Sequence, residues 1–168
     1  ALLPELVPRL SRGPAPALKM AGSGPLVGAS LQTRTTAAVA GARRILRLLA
    51  PKFDLGIVTS GNRARVRRQL REFSLADYFS ACVCSEDTLK KKPHPAPLQL
   101  ALKRLRLAPG ESVYVGDTAE DIEMARGAGV RAIGVLGPFP TAARIRAAKP
   151  EILLDSIREL PRHLQILQ

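Results

Sequence analysis

Aromatic residues are scarce in this chain of 168 residues, which has no Trp, two Tyr and four Phe. Leu, Val, Ile and Ala must therefore fill whatever core it builds. Cysteine is nearly missing as well. Cys82 and Cys84 stand one residue apart in an apolar run, too close for an ordinary structural bridge, and further ligands for a shared metal are lacking. They suit a strand in a reducing, cytoplasmic compartment. No apolar run approaches the roughly 20 residues that a bilayer span requires, so no membrane partner is expected. Acids are almost absent early on. Residues 1–53 hold eight Lys or Arg and one acid, Glu5, whereas residues 54–168 hold eighteen basic and thirteen acidic residues.

What is present suits a soluble globular domain, with 46% hydrophobic and 24% charged residues and a net charge of +12. Such a charge invites a nucleic-acid reading. Yet Arg63, Arg65, Arg67, Arg68 and Arg71 fit mostly the solvated face of one helix, with no aromatic interleaved. General attraction of anions is expected, and a specific nucleic-acid reader is not. Oligomeric state leaves no mark in the sequence.

Residues 1–34 are rich in Ala, Pro, Gly, Ser and Leu, and five prolines interrupt any long helix. They are expected to form an irregular or disordered leader, in which Leu26–Ser30 could make a short strand. From residue 35 to 168 the pattern is that of an α/β core. Thr35 or Thr36 can cap a helix that Pro51 closes, and Phe53–Val58 is a short apolar strand. A helix follows over 63–73, then a strand near 80–84. Lys90-Lys91-Lys92-Pro93-His94-Pro95 is a rigid basic loop, with Pro97 placed to open the next helix. Further strands are expected at 112–115, 130–136 and 152–154, with helices between and after them. Strands alternating with helices predict a doubly wound, Rossmann-like parallel sheet.

The chain is organised around Ser112-Val113-Tyr114-Val115-Gly116-Asp117-Thr118-Ala119-Glu120-Asp121. A short apolar strand ends in Gly-Asp, and a second Asp follows four residues later as a helix begins. Acids so placed fit either a divalent-metal and phosphate site or a helix N-terminus dressed to suit its dipole. Two other loops share the carboxyl edge of the predicted sheet, where open α/β folds place their chemistry. One offers the Thr59 hydroxyl with free backbone amides at Thr59, Ser60 and Gly61, suited to phosphate oxygens. The other offers the Lys92 ammonium group. Asp117 and Asp121 supply oxygen ligands suited to Mg2+.

In order and topology these residues resemble the haloacid dehalogenase-like (HAD) hydrolase superfamily, in particular its phosphoglycolate phosphatase-like branch. The second family motif matches Leu55-Gly56-Ile57-Val58-Thr59-Ser60, the third Lys92-Pro93-His94-Pro95-Ala96-Pro97-Leu98. The fourth matches Val115-Gly116-Asp117 through Asp121 to Ala128-Gly129-Val130, so the likeness covers about residues 36 to 164. It implies a Mg2+-dependent phosphatase of small phosphorylated metabolites that works through an aspartyl-phosphate. Thr59 and the Ser60 amide would bind the transferring phosphoryl group, and Lys92 would pair with it. Asp117 would ligate the metal, and Asp121 would support the metal shell or orient Lys92. His94 would be either substrate-side or merely exposed.

The family's first motif, Asp-x-Asp at the end of the central strand, has no counterpart, because no Asp precedes Asp54. Gly28 and Ser30 stand where the two Asp would fall if residues 26–30 imitate that strand, and neither can attack as a carboxylate. Only about 30 residues separate Gly28 from Thr59, leaving no room for the usual cap domain. The expectation is a HAD-like core without a cap, and possibly without its central strand. Either it is a truncated or variant phosphatase, or an inactive module that binds anions or partners.

Overall fold

Strand β4 (Ser112–Gly116) is buried along its whole length, which marks it as interior to a sheet covered on both faces. The computed structural model describes residues 17–21, 32–136 and 142–164, with side chains from residue 41 onward. Within them β1 (Ala17–Ala21), β2 (Leu55–Val58), β3 (Ala81–Val83), β4, β5 (Arg131–Val135) and β6 (Ile152–Leu154) form one sheet in the order β3-β2-β1-β4-β5-β6. Every pairing is parallel. The doubly wound sheet is as the alternating pattern predicts.

A central strand is present, and its position corrects the sequence expectation. Ala17–Ala21 pairs with β2 on one side and β4 on the other, with Leu18 opposite both Leu55 and Val113. It lies inside the stretch 1–34 expected to be irregular, and helix α1 (Gln32–Leu49) also begins inside it. Ala-Leu-Lys-Met-Ala has little intrinsic strand preference, so partners on both edges rather than local propensity decide its conformation. The alternative at residues 26–30 lies outside the described residues. Ten residues separate β1 from α1, too few for a separate domain between them.

Alternation along the strands sends side chains to two cores. Leu55, Ile57, Val113, Val115 and Ile133 pack with Ile45, Leu46 and Leu49 of α1 and with Val66 and Leu70 of α2 (Arg63–Glu72). Val58, Val83, Tyr114 and Ala132 face the opposite way. They meet Leu98, Ala101 and Leu102 of α3 (Ala96–Leu105) and Ile122, Met124 and Ala125 of α4 (Ala119–Gly127). Short helices α5 (Ala142–Ala147) and α6 (Leu160–His163) complete the described chain. No helix among the described residues is long and apolar enough to cross a membrane.

Candidate functional site

The carboxyl ends of β2 and β4 bring the predicted residues to one edge of the sheet. Lys92 joins them. Its ammonium group donates to Asp121 Oδ1 at 2.7 Å and to the carbonyl of Val58, the residue before Thr59, at 3.2 Å. The Lys92 side chain is 6% exposed and that of Asp121 is fully buried. An ammonium group has three protons, so two fixed bonds leave a third for a ligand. The backbone of the loop that carries Lys92 includes a cis Lys92–Pro93 peptide bond.

Asp121 is held from both ends of its carboxylate. Oδ1 also accepts from the Tyr114 hydroxyl at 3.1 Å. Oδ2 accepts from the Thr118 hydroxyl at 2.8 Å and from the amides of Thr118 and Asp117 at 3.2 and 3.3 Å. In return the Thr118 hydroxyl accepts from the Asp121 amide at 3.2 Å, which closes a capping box at the start of α4. An ionised carboxylate offers about four lone-pair sites, and these five donors use them. Of the two roles open to Asp121 in the sequence, this geometry suits the orienting of Lys92. Asp117 lies half-buried just outside the strand, at the mouth. Burial and the neighbouring Asp121 charge push the Tyr114 phenol well above its ordinary range, so it stays a hydrogen-bond donor at neutral pH.

Gly116 makes this approach possible. A Cβ built there would lie 2.3 Å from Asp121 Cβ, a distance that no side chain tolerates. Only a glycine lets the first turn of α4 fold so closely over the end of β4.

The Thr59 loop departs from the expectation of three free amides. The Thr59 amide donates to the Val83 carbonyl at 2.9 Å, extending the pairing of β2 with β3. The Gly61 amide donates to Thr59 Oγ1 at 3.0 Å, the local turn that a Thr hydroxyl readily forms with an amide two residues on. That bond occupies a lone pair and fixes the hydroxyl, leaving its proton to donate outward. The α2 N-terminus is also partly used. Asn62 Oδ1 accepts from the Arg65 amide at 2.9 Å, and the Glu86 carboxylate accepts from the Arg63 amide at 3.0 and 3.1 Å. Thr59 is half-buried and Ser60 exposed at the rim.

Three roles escaped the sequence. His94 Nδ1 accepts from the Ala96 amide at 3.1 Å, so the ring folds over the entry to α3. Thr118 could have been found from its Thr-x-x-Asp spacing. Tyr114, a strand residue like its neighbours, carried no local signal. Among the described residues no three His, Cys, Asp or Glu side chains form a ready metal cluster. A Mg2+ ion here would rely on Asp117 and on ligand oxygens, an arrangement usual for Mg2+ on phosphates.

The chain is similar to known proteins in sequence and in fold. The family profile described as haloacid dehalogenase-like hydrolase matches residues 27–135. Phosphoglycolate phosphatase of Escherichia coli (strain K12) is 34% identical over 113 residues, 67% of this chain and 45% of that protein. The Salmonella typhimurium phosphoglycolate phosphatase matches to the same extent. The chain thus spans about half the length of the curated relatives it matches. A predicted phosphoglycolate phosphatase from Haemophilus somnus superposes with a TM-score of 0.68 at 27% identity, covering 76% of this chain and 56% of that one. CbbY from Rhodobacter sphaeroides, solved with xylulose-(1,5)bisphosphate, gives a TM-score of 0.60 at 26% identity, covering 75% and 54%.

Proposed function

Since the chain belongs to the haloacid dehalogenase-like hydrolase family, we propose that this edge of the sheet grips the phosphoryl group of a small phosphomonoester in a Mg2+-assisted phosphatase site. The observation that carries the proposal is Lys92, whose buried ammonium group bridges the Thr59 loop and the Asp117–Asp121 turn. Each group then has a task. Thr59 donates its fixed hydroxyl proton to a phosphoryl oxygen, with the Ser60 amide beside it. Lys92 directs its remaining proton at the same group and offsets its charge. Asp121, with Tyr114 and Thr118, holds Lys92 in place as a positioning residue. Asp117 is the carboxylate suited to hold Mg2+, which when bound would neutralise charge on the transferring phosphoryl group. The relatives named phosphoglycolate phosphatase, and the neighbour solved with a sugar bisphosphate, support a small phosphorylated metabolite as ligand.

One observation favours a second reading, that of an inactive binding module. Residues 22–53, which follow the central strand, contain no Asp or Glu. Within this sequence the attacking carboxylate therefore has no candidate beside β1. Two measurements separate the possibilities. Inorganic phosphate with Mg2+ should raise the melting temperature of the chain, and Lys92→Met or Asp117→Asn should abolish the rise. A melting temperature indifferent to both ligands defeats the phosphoryl-grip proposal in either form. Turnover of p-nitrophenyl phosphate that Asp117→Asn abolishes establishes the hydrolase. Protection without turnover leaves the binding module.

A further inference from the structure

The site uses the carboxyl edge of the sheet and leaves the outer face of α1 and α2 without a task. That face is dense in arginine. Helix α2 carries five arginines and one acid, Glu72, in 10 residues. Val66 and Leu70 anchor it to the core, while Arg65, Arg67, Arg68 and Arg71 are exposed. On α1, Arg44 and Arg47 are also exposed on the same side of the sheet. Arg43 there reaches across to the Phe73 carbonyl at the end of α2.

We propose that this face binds the phosphodiester backbone of nucleic acid without regard to sequence. Ten helical residues span about 15 Å, so the four exposed arginines of α2 supply one cation per about 4 Å of axis, with Arg63 engaged by Asp87. That is close to the roughly 3.4 Å spacing of charge along one strand of a duplex. The cations are all arginine, whose fork suits phosphate oxygens. Neither Trp nor Tyr stands on α2, which removes base stacking as a source of selectivity. A lipid surface would need apolar residues beside the charge. Among the described residues the one large hydrophobic side chain that is strongly exposed is Leu89, which lies on the loop before Lys92, not on this face.

The test is fluorescence anisotropy of the full chain with two labelled RNA duplexes of unrelated sequence, at 50 and 200 mM salt. Both duplexes should bind within a few-fold of each other, and binding should weaken at least tenfold at the higher salt. Replacing Arg44, Arg67, Arg68 and Arg71 together by Gln should weaken binding at least tenfold. It should also lower the slope of log affinity against log salt by about 3 to 4. The corresponding Arg→Lys variant, which keeps the charge and guards against misfolding, should retain most of the binding. A control replacing Lys103, Arg106, Arg131 and Arg146 by Gln removes equal charge elsewhere and should cost little. Equal losses in the two Gln variants would reduce the effect to net charge and overturn the proposal. Tighter binding to phosphatidylserine vesicles or to poly-glutamate than to duplex would overturn it in favour of a lipid or acidic-protein partner.

Discussion

Lys92 and Asp121 form an ion pair in which neither side chain sees more than a trace of solvent. Such a pair contributes little net stability when intact, yet is costly to break, because the surviving charge is stranded. Lys92→Met should therefore destabilise the chain by about 3–5 kcal/mol in urea denaturation. The double variant Lys92→Met/Asp121→Asn should recover part of that loss, since an amide in place of the carboxylate carries no charge. A double variant no more stable than Lys92→Met would show that packing, not stranded charge, is responsible. Thr59 and Asp117 were legible in the sequence because each stands just past a strand end, and Lys92 because it stands in a Lys-Pro motif on the loop before α3. The supporting hydroxyl of Tyr114 was not, since its partner seven residues on is reached only when α4 folds back over β4. The engagement of the Thr59 and Gly61 amides was hidden for a similar reason. Which carbonyl or hydroxyl accepts a backbone proton is settled by neighbouring strands and turns.

The junction of β4 with α4 is the element that carries most of the site. Gly116→Ala places a methyl group against Asp121 with no flexible neighbour able to yield. The turn must open, at a cost of about 3 kcal/mol, and Asp121 must leave its donors. The predicted outcome is a lower urea midpoint together with loss of phosphate and Mg2+ protection. A fall in stability with ligand protection intact would mean that α4 tolerates displacement without harm to the grip. The elements themselves were mostly readable. The helix expected over 63–73 is α2, and the strand expected at 112–115 is β4. The exception is β1, where Ala-Leu-Lys-Met-Ala carries no strand signature and pairing supplies the conformation.

Across the whole molecule, Asp87 ties the β3 side of the sheet to its helices. One oxygen accepts from Arg63 at 2.7 Å and Arg104 at 2.5 Å, and the other from the Cys84 amide at 2.7 Å. These tie the start of α2 to the end of β3 and to α3. Burial pushes the Asp87 carboxyl up, but the bonds from Arg104, the Cys84 amide and Arg63 outweigh it and hold the group at about 2 rather than 3.8. A group depressed on folding stabilises the fold above its unfolded value and loses that contribution as pH falls through its folded value. Urea midpoints of the native chain should accordingly hold down to about pH 4 and decline toward pH 2. Asp87→Asn should cost about 2 kcal/mol at neutral pH. Its pH profile should converge with the native one near pH 2, and parallel profiles would remove Asp87 as the source.

The strand order has a consequence in time as well as in space. Among the described residues β1 is the first strand, and it lies at the centre of the sheet, where its register with β4 joins Leu18 to Val113. During synthesis the middle of the sheet therefore emerges about 95 residues before one of its two neighbours exists. Contacts so distant in sequence slow folding, because a long loop must close before they stabilise anything. A nascent chain ending before residue 112 would hold β1 with one edge unpaired, the condition that invites association with other chains. Translation of β4 is the event that pairs the second edge of β1. The helix that follows it sets Asp121 beside Lys92, so the site forms as the centre of the sheet closes.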